Sequence, residues 1–276
     1  MELYQAIALG IVQGLTEFLP ISSSGHLVIG QHLFGLHEAE LVFDTCLHVA
    51  TLLAVIIYFR NELTSMILSL GRVSGQLTAK RITVKEAWAD PDIKMIVLIC
   101  VGTLPTVVIG LCFKSFAETV FSSLPIVGCA LLVTGILLWI TRLMPDKETD
   151  ITTFSLPKSL VIGVIQGLSI TPGISRSGST IATGLYLGLS REMAARYSFL
   201  LSIPAICGAA ILNIKDMHGP GALSAAVLIA GMVSACLSGY LALRFLVYIV
   251  NKGRLYMFAP YCGLLGLGVV LFSLYS

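Results

Sequence analysis

Gly10-Ile11-Val12-Gln13-Gly14-Leu15-Thr16-Glu17-Phe18-Leu19-Pro20-Ile21-Ser22-Ser23-Ser24-Gly25-His26 is an apolar run that stops at a proline and restarts after three serines. Proline cannot continue a helix, so the stretch reads as two half-helices joined by a polar loop. Much of it returns later at one fixed offset. Gly163-Val164-Ile165-Gln166-Gly167-Leu168-Ser169 matches Gly10 to Thr16, and Ile174-Ser175-Arg176-Ser177-Gly178 matches Ile21 to Gly25. One register held through a helix and its loop argues for duplication. Convergent small-residue packing would not require Gln-Gly-Leu and Ile-Ser-x-Ser-Gly together.

The rest of the chain fixes the solvent. Of 276 residues, 56% are hydrophobic and only 12% are charged, against about 25% charged in soluble domains. Mean hydropathy is +0.92. Too little polar surface is left to coat a soluble globule. This excludes a soluble domain, a disordered tail and a nucleic-acid binder, and makes the bilayer the partner. The seven cysteines lie mostly in apolar runs without a CxxC pair and read as small apolar residues. Residues 1–9 carry no basic region, so no signal peptide is expected.

About 20 helical residues cross the hydrocarbon core. Six apolar runs meet that length: 41–59, 93–113, 122–141, 197–214, 221–243 and 255–275. The two interrupted regions, 2–34 and 156–189, read as re-entrant hairpins. The predicted fold is an all-α polytopic membrane protein, a single membrane domain over 1–276 with six spans and two hairpins. Three spans separate the copies, so the second lies inverted: repeat 1 over about 1–141 and repeat 2 over about 156–276. Broken helices in inverted repeats meet near the midplane and line a binding site with their N-termini.

Basic residues orient the chain. With 61–94 in the cytoplasm, fourteen of the 17 Lys and Arg fall on that side. Lys114 and Lys215 fall opposite, and Arg176 lies inside the second hairpin. The bias places both termini outside. Trp88 and Trp139 then fall at the cytoplasmic boundary, and Met66, Ile67 and Leu70 of the basic 61–91 loop could form an interfacial stripe.

Gln13 and Glu17 share one helical face. An ionisable group within a membrane hairpin is costly and marks a candidate site. Among Ser22, Ser23, Ser24 and Gly25, one serine can cap the following helix, whose free N–H groups suit an anion. His26 sits on its first turn. In the second loop Arg176 needs an anionic partner, and its planar fork suits phosphate. Gly173 lets backbone approach, while Ser175, Ser177 and Thr180 add donors. The alternative partner for Arg176 is Glu17. His48, four residues after Asp44, could touch the site or sit in the core. Together the loops suit a phosphate or pyrophosphate with a divalent cation on Glu17, and residues alone fix no reaction.

At these residues the chain resembles the undecaprenyl-diphosphate phosphatase family of the bacitracin-resistance type. Its (E/Q)xxxE and FLPxSSxGH pattern is similar to Gln13 through His26, and its PGxSRSxxT pattern to Pro172 through Thr180. Gly102-Thr103-Leu104-Pro105 and Ser198-Phe199-Leu200-Leu201-Ser202-Ile203-Pro204 extend the likeness over nearly the whole chain. Gln13 stands where some members carry Glu. The resemblance implies hydrolysis of a C55 polyprenyl diphosphate to the monophosphate carrier used in peptidoglycan synthesis, and hence bacitracin resistance. It further implies a divalent metal, Mg²⁺ or Ca²⁺, and a site at the outer face of the bacterial plasma membrane.

On that reading Arg176 and the two helix N-termini (Ser22, Ser24, Gly25, Gly173, Ser175, Ser177, Thr180) hold the diphosphate. Glu17 binds the metal with Gln13 assisting, Ser23 is the nucleophile and His26 the acid or base, a water nucleophile staying open. A homodimer also stays open. A transporter or flippase for an anionic lipid is the main alternative, since inverted repeats suit that class too. A structural scaffold would leave Glu17 and Arg176 unexplained.

Overall fold

The computed structural model describes residues 1–36, 41–113, 123–145, 147, 151–213 and 223–275. The expected span ends at 122, 214 and 221–222, and the outer basic residues Lys114 and Lys215, lie outside them. The described residues form twelve α-helices: α1 Leu3–Phe18, α2 Ser23–Leu33, α3 Leu41–Tyr58, α4 Arg60–Thr78, α5 Val84–Ala89, α6 Pro91–Phe113, α7 Leu124–Ile140, α8 Leu156–Leu168, α9 Arg176–Tyr186, α10 Arg191–Asn213, α11 Ala225–Asn251 and α12 Ala259–Tyr275. Short 3₁₀ turns at Thr141–Leu143, Ile151–Thr153 and Leu255–Phe258 join some of them.

The protein is a polytopic all-α membrane protein. Five segments are long and apolar enough to span: Pro91–Phe113, Leu124–Leu143, Arg191–Leu212, Ala225–Asn251 and Leu255–Leu274. α3 and α4 together make a sixth candidate, bent by 76°. The five overlap five of the runs read from hydropathy, and the sixth run, 41–59, overlaps the α3 part of the bent pair. Large apolar side chains such as Leu104, Leu237, Leu264 and Phe272 remain on the outside, where lipid rather than water is the matching solvent.

The 61–91 segment is helical rather than a loop. α4 carries Met66, Ser69 and Val73 on one buried face, and Ser65 and Ser69 donate to Asp92 Oδ2 at 2.6 and 3.0 Å. The expected stripe therefore divides. Met66 packs inward, whereas Ile67 and Leu70 are exposed. α5 begins at Thr83, whose hydroxyl accepts from the Glu86 N–H at 3.3 Å while Glu86 accepts from the Thr83 N–H.

Small residues let the first helix of each hairpin approach a long helix closely. Gly10 and Gly14 of α1 face Gly231, Ala235, Ser238 and Gly239 of α11. Gly163 and Gly167 of α8 face Gly102, Pro105 and Ile109 of α6, and Thr106 Oγ1 donates to the Gly163 carbonyl at 2.9 Å. α12 packs along α7. α2 and α9 are eleven residues each and start at Ser23 and Arg176, one offset apart. A Cβ on Gly14 would overlap the backbone of Ala235 and Gly239. Gly14→Ala should therefore lower stability by about 1–3 kcal/mol, the range for overpacking. Gly71→Ala, with nothing within 4 Å, should be neutral or slightly stabilising. Unfolding of both variants in detergent micelles checks this.

Candidate active site

α1 ends where Leu19 turns extended before Pro20, and the chain reverses through Ser22 at φ +70°, a rare conformation outside glycine. The turn is held from across the molecule. Ser22 Oγ accepts the Gly173 N–H at 3.1 Å instead of capping α2. Gly173 itself adopts φ +95°, and a Cβ there would strike Val127 and Ala130 of α7. Its carbonyl accepts from Thr134 Oγ1 at 3.0 Å, and Thr134 Oγ1 in turn accepts the Ser175 N–H at 3.1 Å. Ser175 Oγ caps α9 on the Gly178 N–H at 3.2 Å. Ser177 Oγ donates to the Phe18 carbonyl at 2.8 Å. The two loops are thus one hydrogen-bonded unit.

Glu17 is its centre. The carboxylate is 6% exposed, and Ser23, Gln13 and Arg176 all donate to it. Oε2 receives Ser23 Oγ at 2.8 Å and Gln13 Nε2 at 3.0 Å, with His48 Nδ1 at 3.3 Å. Oε1 receives Arg176 Nη2 from the second loop. The ion pair between Glu17 and Arg176 is therefore formed. It does not use up the guanidinium, because Nη1 is buried without a partner. A buried unpaired cationic donor is costly, so it marks a place for an anion.

His26 Nδ1 lies 2.8 Å from the Ser22 carbonyl. A carbonyl only accepts, so this nitrogen carries hydrogen. In the neutral ring Nε2 then keeps its lone pair, and it accepts from Tyr261 Oη of α12 at 2.5 Å. The two rings stack with centroids 5.7 Å apart. Cys262 Sγ seats the same turn of α12 by donating to the Pro20 carbonyl at 3.3 Å.

Of the residues picked from sequence, Gln13, Glu17, Ser23 and Arg176 meet in one cluster. His26 flanks them on α2 and faces Tyr261. Ser24 Oγ lies 3.4 Å from Ser22 Oγ, and Gly25 has open space, with only Ser22 Oγ at 4.0 Å from a built Cβ. Ser175, Ser177 and Thr180 are buried and direct their hydroxyls into the protein, Thr180 to the Arg176 carbonyl at 2.7 Å. Three further residues come from outside the motifs. His48 was weighed as core or site and lies against Gln13 and Glu17. Thr134 stands out only as a polar residue in an apolar span. Tyr261 carries no local signal.

A cation site can be tested on these residues. Among the described residues no three His, Cys, Asp or Glu side chains gather as a metal group. Glu17 nevertheless offers a carboxylate, and Gln13 Oε1 is a buried acceptor without a partner. Two protein oxygens suit an ion that completes its shell with substrate phosphate and water, as Mg²⁺ does. The donor set fits.

A membrane protein whose paired loops set an arginine, a carboxylate and hydroxyls beside two helix N-termini is built to handle a phosphorylated lipid or solute. Sequence comparison sharpens that class. The profile described as bacitracin resistance protein BacA matches residues 6–268. The chain is 49% identical to an undecaprenyl-diphosphatase of Desulforapulum autotrophicum over 97% of both chains. It is 49% identical to one of Desulfosudis oleivorans over 98% of both, and 43% identical to one of Methanosphaera stadtmanae over 99% of both. The chain belongs to the bacitracin resistance protein BacA family.

Proposed function

We propose that this chain hydrolyses undecaprenyl diphosphate to undecaprenyl phosphate and inorganic phosphate, recycling the lipid carrier for cell-wall synthesis and conferring bacitracin resistance. The observation that carries the reading is the unpartnered Arg176 Nη1 beside Glu17, with the Ser23 hydroxyl on the same carboxylate. Relatives named undecaprenyl-diphosphatase over nearly the full length support it. The direct test is phosphate release from undecaprenyl diphosphate by purified protein, with and without chelator. No release under either condition overturns the proposal.

Arg176 and the N-terminal N–H groups of α2 and α9 bind the diphosphate oxygens. Ser23 Oγ attacks the terminal phosphorus, a new P–O bond forms, and the bond to the bridging oxygen breaks. The lipid monophosphate leaves with that electron pair. The Ser23 proton passes to Glu17, whose Oε2 already accepts it at 2.8 Å. Water then attacks the phosphoserine phosphorus, giving its proton to His26 Nε2 once Tyr261 yields; the P–Oγ bond breaks, Ser23 takes its proton back from Glu17, and inorganic phosphate leaves. Gln13 and Glu17 would hold the divalent cation, Mg²⁺ or Ca²⁺, which when bound neutralises charge on the diphosphate. Catalysis of this kind is mostly positioning and charge stabilisation.

Arg176→Lys should not act as a conservative change. Lysine keeps the charge but loses the fork that serves Glu17 with Nη2 while Nη1 stays free. Single-turnover phosphate release should fall by about 10²–10³, the cost of one aligned donor. Equality within about twofold would leave only net charge at 176 and end the two-pronged clamp.

The site lies, on this reading, at the outer face of the bacterial plasma membrane, with both termini outside. The chain reads as two inverted repeats, about 1–141 and 156–276. Support comes from the exchanged partners, α1 with α11 and α8 with α6. A cysteine placed at exposed Thr78 should resist an impermeant reagent applied to intact cells. Labelling from outside would overturn the orientation.

A further inference from the structure

We propose that His48 is a third ligand, with Gln13 and Glu17, for the divalent cation at this site. The proposal rests on the cation reading above and extends it to a residue outside both sequence motifs. Gln13 Nε2 lies 3.0 Å from Glu17 Oε2 and 3.0 Å from His48 Nδ1, and the last two atoms are 3.3 Å apart. Three side chains from two helices, α1 and α3, thus close a nearly equilateral triangle. Adjacent ligands of an octahedral ion bound at about 2.1 Å stand about 3 Å apart, the same spacing.

The amide supplies a second, independent observation. Gln13 is fully buried, and its Oε1 has no partner while Nε2 faces the triangle. A half-turn of the amide exchanges the two atoms with almost no change of shape. The turn gives up the two contacts of Nε2, to Glu17 Oε2 and His48 Nδ1, which a cation bound among the three replaces, while Oε1 has none to lose. It then joins a carboxylate oxygen and an imidazole nitrogen, and three lone pairs converge on one point. Such a cluster is stable around a cation.

Charge around the triangle is mixed. Arg176 holds the other oxygen of Glu17, so a cation would meet Oε2 beside the Ser23 hydroxyl, in the place of the Gln13 NH₂, yet the guanidinium charge opposes a cation arriving alone. Asp44, one turn before His48 on α3, offsets part of this; its Oδ1 accepts from Gln31 Nε2 at 2.6 Å. A diphosphate anion on Arg176 offsets the rest, so ion and anion bind together. An imidazole nitrogen is an accepted ligand for Mn²⁺, which makes that ion a usable probe of the site.

The experiment is pulsed electron paramagnetic resonance of Mn²⁺ with methylenediphosphonate on purified full-length protein. Wild type should show ¹⁴N modulation from one imidazole. His48→Gln, which keeps a hydrogen-bonding group of similar reach, should lose that modulation and bind Mn²⁺ roughly 10-fold or more weakly, by analogy with the 10–100-fold cost of disturbing a metal's surroundings. His32→Asn should keep the signal. Absence of nitrogen coupling in wild type overturns the proposal, as does its persistence in His48→Gln, which would assign it to another histidine. Phosphate release from undecaprenyl diphosphate, measured on the same wild-type sample, separates the two readings. Release without nitrogen coupling overturns His48 alone; coupling without release overturns the phosphatase reading alone.

Discussion

Glu17→Gln should lower phosphate release from undecaprenyl diphosphate by at least about 10³-fold, the upper range for losing one aligned electrostatic group. The structure explains why an isosteric change is so severe. Three side chains direct donors at this carboxylate, Gln13, Ser23 and Arg176, and His48 Nδ1 lies 3.3 Å from it. A glutamine presents one oxygen and one NH₂, so at least one of the three meets another donor. The Ser23 proton loses its acceptor, and Arg176 keeps its charge without a counterion. Breaking a buried pair from one side can cost about 3–5 kcal/mol, so thermal stability in micelles should fall as well. Turnover is therefore read on the monodisperse fraction from size exclusion. Wild-type turnover in that fraction would remove Glu17 from the chemistry.

His26→Ala should reduce turnover by about 10²–10⁴, the contribution of a general acid or base, with a smaller change in KM. The imidazole is held at both ends, by the Ser22 carbonyl and by Tyr261 Oη, and its Nε2 can exchange a proton with a reacting group once the Tyr261 hydroxyl moves aside. Tyr261→Phe removes one hydrogen bond, usually worth about 1 kcal/mol, and should cost less than about tenfold. A loss confined to KM in His26→Ala would make the imidazole a binding group.

The spans were legible because lipid imposes an uninterrupted apolar length, and α6, α7 and α10 to α12 fall where hydropathy placed them. The helical character of 61–91 was less visible. Its charges and apolar residues average out, although Thr83 and Glu86 stand at capping-box spacing. Within the loops, Glu17 and Arg176 announced themselves as charges in apolar sequence. Ser175, Ser177 and Thr180 show the limit of such reading. A hydroxyl near a ligand and a hydroxyl that fastens a loop have the same letter, and only the neighbouring Phe18, Gly178 and Arg176 backbone groups decide its direction. Tyr261 lies 235 residues from its partner in an ordinary apolar run, so no local pattern could mark it.

The exchange of helix partners has a consequence for how the chain can be cut. α1 leans on α11 and α8 on α6, so each half lends its opening helix to the other. The polar seam runs the same way, with Gly173 fastened to Ser22 and Ser177 to Phe18. Severed between α7 and α8 and produced as two polypeptides, neither piece would have a finished interior. Co-expressed, they should find each other in the bilayer and restore the whole, behaving as a dimer whose subunits happen to share one gene.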